Sequence, residues 1–121
     1  MKRILPSIVV LFLVLPLRLF AGGWSQTYSL AAGTVALTNS QDNSVWEPVA
    51  VMLNFTAPRS GTVEVWRMSQ AHNFMLANCA FTNVSTVVWV PDAPYPFNLG
   101  EALVIRSSVT NGIVQVIRKG D

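Results

Sequence analysis

The sequence predicts a single all-β domain, an antiparallel β-sandwich of jelly-roll-like type with about eight strands behind an N-terminal hydrophobic leader. Three observations carry this. β-Branched and aromatic residues are dense through residues 22–121. Turn-forming residues recur about every ten positions. No long stretch shows the 3.6-residue apolar period of an amphipathic helix.

Residues 1–21 read as the leader. Lys2 and Arg3 make a basic start, residues 4–17 an apolar run, and Ala21-Gly22-Gly23 a small-residue patch. The run is short for a membrane span, which needs about 18 apolar residues. Pro6 and Pro16 interrupt it and Arg18 closes it. The expectation is a removable signal, with an uncleaved membrane anchor as the alternative. Either reading predicts an exported protein: secreted, periplasmic or surface-associated, and membrane-anchored if the leader is retained. Residues 22–121 then form one β-sandwich domain.

The strands follow in order. Residues 24–30 and 34–37 are weak strand signals. Residues 39–44 are polar and read as an exposed loop. Val49, Val51, Leu53 and Phe55 share one face of the next strand. Pro58 and Gly61 mark a turn, and residues 62–68 return as a strand. Residues 74–79 and 84–90 make two more, the second stopped by Pro91. Residues 91–98 hold three prolines with Tyr95 and Phe97, too stiff and donor-poor for a central strand. Residues 102–106 and 113–118 flank Asn111-Gly112, which predicts a hairpin with a type I′ turn. Short strands, a Pro-rich crossing and a Leu-Gly-Glu entry to the last hairpin resemble small jelly-roll modules of virions and cell surfaces, at the level of fold.

Charge is scarce. After residue 21 there are five cations (Arg59, Arg67, Arg106, Arg118, Lys119) and six anions (Asp42, Glu47, Glu64, Asp92, Glu101, Asp121). An ordinary domain is about 25% charged. The basic pI comes from the leader, so no basic patch remains for phosphates and nucleic acid is not an expected partner. Cys79 is the only cysteine, so no disulfide within the chain is possible.

Three strands lack the apolar–polar alternation of a sheet with one wet face. Val87 and Trp89 oppose Val84, Thr86, Val88 and Val90. Val114 and Val116 oppose Ile113, Gln115 and Ile117. Val63 and Val65 oppose Trp66 and Met68. The expectation is a non-catalytic exported structural subunit of a surface layer, appendage or virion. It would form a homo-oligomer or larger protein assembly through Trp66, Met68, Val87, Trp89, Val114 and Val116. The alternative is a carbohydrate-binding module that stacks glycan on Trp46, Trp66, Trp89 and Tyr95.

No catalytic or metal-ligating pattern emerges. His72 and Cys79 sit at opposite ends of one short strand, with no residue placed to orient the imidazole. Glu47, Glu64 and Glu101 are scattered, and Gly-rich phosphate loops and Gly-x-Ser-x-Gly elbows are missing from the sequence. The reading is therefore not an enzyme, with no cofactor and no metal.

Overall fold

The computed structural model describes residues 8–9, 23–40 and 45–120. Most of the leader and its boundary with the domain fall outside those residues. The described chain is all-β: β1 (Ile8–Val9), β2 (Gly23–Ser29), β3 (Thr34–Thr38), β4 (Trp46–Met68), β5 (Asn73–Trp89), β6 (Ala102–Ser107) and β7 (Gly112–Gly120). Together they make one curled antiparallel sheet, in which only β1 pairs in parallel.

The spine is β4, 23 residues long. One of its edges pairs with β5 at both ends, from Val51 opposite Trp89 to Met68 opposite Asn73. Its other edge pairs first with β7, then with β6. Register shifts at Asn54/Arg59 and Arg59/Gly61 bend it midway. Pro58 lies in this bend, where its missing N–H disrupts no regular ladder.

Two expectations are corrected by this spine. Residues 49–55 and 62–68 do not turn back on each other but run on as one bent strand. Residues 74–79 and 84–90 likewise belong to one strand, β5. Among the described residues, the expected two-sheet jelly roll of about eight strands is thus a single seven-stranded sheet whose long strands bend.

The Asn111-Gly112 hairpin is also corrected. Strands β6 and β7 pair not with each other but end to end along β4. Residues 108–111 step across its bend, where Ser108 N–H donates to the Thr62 carbonyl at 3.0 Å and Thr56 N–H to the Asn111 carbonyl at 3.1 Å. Neither Asn111 nor Gly112 has positive φ. Gly112 is needed because the β4 backbone passes against it, and a Cβ there would collide with the Asn54 carbonyl. Strands β2 and β3 repeat this end-to-end arrangement along β7 and β6.

The two halves of the bent sheet share one core. Val51, Leu53, Phe55, Val87, Val114 and Val116 from one half meet Val35, Leu37, Val63, Val65, Leu103 and Ile105 from the other. Phe55 and Phe81 stack near the bend with centroids 5.3 Å apart. The Pro-rich crossing closes one end: Phe97 is fully buried and bridges to Trp46.

Gly112→Ala should lower the unfolding free energy by about 3 kcal/mol through backbone overpacking. Gly100 has φ +86° and open space around it, so Gly100→Ala should cost only about 1–2 kcal/mol. Urea denaturation of both variants checks this; equal costs would contradict the close-approach role.

Candidate functional site

The residues expected to form an assembly face are not on one surface. Val87, Val114 and Val116 are 2%, 0% and 1% exposed and belong to the core. Register explains this, since Val114 lies opposite Leu53 and Val116 opposite Val51, both on the inner face of β4. Trp66 is half-buried on the outer face of the other half. Its Nε1–H donates to Glu64 Oε1 at 2.9 Å, and Arg106 sits over its ring at 5.5 Å. Met68 is half-buried at the end of the same strand, and half-buried Trp89 packs against the core.

The glycan platform is not assembled either. Trp46 is buried between two groups: the Phe97 ring, stacked at 4.8 Å and 7° between planes, and the Arg118 guanidinium at 4.5 Å. Trp89 is covered by Tyr95 at 6.5 Å. Trp66 lies in the other half of the sheet from Trp46 and Trp89. These rings face different neighbours and offer no common row.

Two residues organise this end of the fold without having been singled out. Asn39, expected in an exposed loop, is 3% exposed. Its Nδ2–H donates to the Phe97 carbonyl at 2.8 Å, its N–H to the Glu101 carbonyl at 2.9 Å, and its own carbonyl accepts from Gly100 N–H at 2.7 Å. Arg118 is 6% exposed, and its Nη2–H donates to Gln26 Oε1 at 3.0 Å. Burial holds its guanidinium pKa below the ordinary value, opposed by the nearby Tyr28.

His72 sits in the turn between β4 and β5, where Ser69 N–H donates to its carbonyl at 2.8 Å. Its ring lies 5.6 Å from Phe74. Among the described residues, no three His, Cys, Asp or Glu side chains converge on a point. An open cleft of about 310 Å³ runs between Pro48, Val49 and the start of the Pro-rich crossing, with Glu47, Asp92 and Lys119 at its rim. A small apolar cavity of about 20 Å³ lies between the sheet halves, lined by Leu53, Val63, Val65, Ala77, Cys79 and Val87 among others.

The distinctive surface is the pair of sheet edges. Every charged residue on a described strand lies on an interior one: Glu47, Arg59, Glu64 and Arg67 on β4, Arg106 on β6, Arg118 and Lys119 on β7. The edge strands β2, β3 and β5 carry none. Proteins ordinarily place charge or proline on edges to block pairing with another chain. Strand β5 is 17 residues long without a charge or a proline, and its Phe74 and Met75 are 48% and 44% exposed. Among the described residues, its outer edge is paired only at Thr86 and Val87, by β1.

No family model and no curated protein matches the sequence. Among solved structures the chain is similar to the core of Drosophila NLP, at 13% identity and a TM-score of 0.49, over 82% of this chain and 97% of that one. That structure is described by pentamer formation and histone binding, and both are properties of that protein. Because the expected face residues lie in the core or apart and the expected rings share no row, the readings of an exported structural subunit and a carbohydrate-binding module are withdrawn, and with them the secreted or membrane-anchored location, which neither the fold nor the comparison supports.

Tyr95 supplies a spectroscopic probe of the crossing. Its hydroxyl donates to Asp92 Oδ1 at 2.8 Å, a bond that only the neutral phenol makes, and this holds its pKa above the ordinary value. An absorbance titration should show a tyrosine ionising above about 10, and Asp92→Ala, which removes the acceptor, should bring it down. The bond is lost as pH rises through that raised value. An unchanged titration in the variant would remove the Asp92 bond as the cause.

Proposed function

We propose that this chain is a non-catalytic protomer that acts by associating with other copies of itself through its sheet edges. The carrying observation is the placement of charge on interior strands and its lack on every described edge strand. An open edge presents a row of unpaired N–H and C=O groups that another strand can satisfy. Charge on such an edge opposes approach, because like charges directly opposite one another destabilise the pair.

This reading differs from association through sheet faces. Four of the six residues expected on a face are in the core or packed against it, and Trp66 has local polar partners. Among the described residues, the outer edges of β2 and β3 have no paired strand and that of β5 has one only at Thr86 and Val87, and β5 adds exposed Phe74 and Met75. A catalytic role has no support in convergent titratable groups among the described residues. Histone binding draws no support from the composition, since the chain holds six acidic residues and no acidic run that would attract a basic partner.

Light scattering on the full chain tests this reading. The mass should exceed that of a monomer and rise with protein concentration. Because no ion pair joins the edges, the association should persist from about 0.05 to about 1 M salt. A monomeric mass throughout, or dissociation by salt, overturns it.

A further inference from the structure

We propose that β1 guards the β5 edge from within the chain: the N-terminal segment pairs at Thr86 and Val87 and so withholds residues 84–89 from any other strand. The inference rests on the premise argued above, that an uncharged edge accepts a strand, and adds a device that regulates it.

Residues 84–89 are the part of β5 most suited to pair. They read Val84-Ser85-Thr86-Val87-Val88-Trp89, β-branched and aromatic at every position but one, with no charge, proline or glycine. Segments of about six residues with that composition stack with other chains when an edge exposes them. Their ladder with β4 is regular: Thr86, Val87, Val88 and Trp89 lie opposite Asn54, Leu53, Met52 and Val51 without a register shift.

Among the described residues, the rest of each edge has a protection of its own. Upstream in β5, Val65 lies opposite Ala77 and Trp66 opposite Met75, which leaves Leu76 as a bulge. Asn83 has φ 53°, and its N–H turns inward to donate to Ser60 Oγ at 2.9 Å. On the opposite edge, β2 and β3 are only seven and five residues long. Short strands and bulges both blunt an edge, and covering it with another part of the chain is a further way. Residues 84–89 are neither short nor bulged, and the cover lies on them.

This cover is built to be displaced. Strand β1 is two residues long, against about five or six for an ordinary strand. Ile8 opposite Thr86 and Val9 opposite Val87 form a parallel pair, and parallel pairing is slightly less stable per residue than antiparallel. A longer strand from another chain therefore competes with β1 for the same backbone groups. The edge is closed while β1 is seated and open when it is drawn away.

The test uses the full chain. Ile8→Pro combined with Val9→Pro removes both β1 N–H donors and fixes φ at about −65°, away from the about −120° of a parallel strand. Circular dichroism should keep its β signal, since the change touches one two-residue strand at an edge. Amide hydrogen exchange within residues 85–88 should quicken at least about five-fold, the loss of one ladder bond. The mass by light scattering at a fixed concentration should rise. Val9→Pro alone, a milder break, should move both readouts the same way. Unchanged exchange in these variants means that β1 holds no edge and overturns this inference alone. Faster exchange with an unchanged, oligomeric mass also overturns it alone, because the freed edge then accepts no strand. A monomeric full chain whose variants associate defeats the function proposed above and upholds the guard. Monomers throughout defeat both.

Discussion

The continuity of β4 constrains the rest of this fold. A strand of 23 residues cannot stay flat, because strand twist accumulates along it. The chain resolves this by bending β4 near Pro58 and bending its neighbours at the same level. Strand β5 turns at Asn83, where Ser60 accepts its displaced N–H. Strands β6 and β7 break at residues 108–111, and β2 and β3 break at Gly33, whose φ is +78°. The bends are stacked across the sheet, so the two halves curl toward each other and enclose one core.

A curled sheet has an open end, and the Pro-rich crossing closes one of them. The stack of Arg118, Trp46 and Phe97 combines a cation–π contact with ring stacking, contacts that strengthen when water is excluded. Asn39 ties the crossing down by satisfying the Phe97 carbonyl and two backbone groups near Gly100. Buried polar groups are tolerated only when bonded, and Asn39 meets that demand for itself and for a buried carbonyl.

The all-β class and the strand-forming residues were legible in the sequence, because period-two patterning and β-branched content are local properties. The strand count was not. Pro58 and Gly61 signal a chain reversal, yet they also suit a bend inside a long strand, and only pairing partners distinguish the two. Asn111-Gly112 misled in the same way, since Gly112 answers a close backbone approach rather than a positive φ. The site residues failed on parity. Arg118 shares the face of Val114 and Val116, and a charge on a strand face ordinarily marks solvent. Here that arginine sits over the Trp46 ring, so the face it shares with Val114 and Val116 is the core. Asn39 had no sequence signal of its own, because its partners come from residues far along the chain.

Scarcity of charge remains the feature that joins sequence to function, but its meaning changes with topology. Read as a fraction of composition, it suggests greasy outer faces. Mapped onto the sheet, the few charges present cluster on strands β4, β6 and β7, whose backbones are already paired on both sides. There they hold local contacts such as Arg106 over Trp66 and Arg67 over Phe74. The described strands that need a charge to refuse a partner have none, while the interior strands carry all the charge found on described strands. An edge kept for association must avoid charge, and an interior strand can carry it without hindering pairing. The distribution therefore fits a sheet whose ladder is continued by another copy.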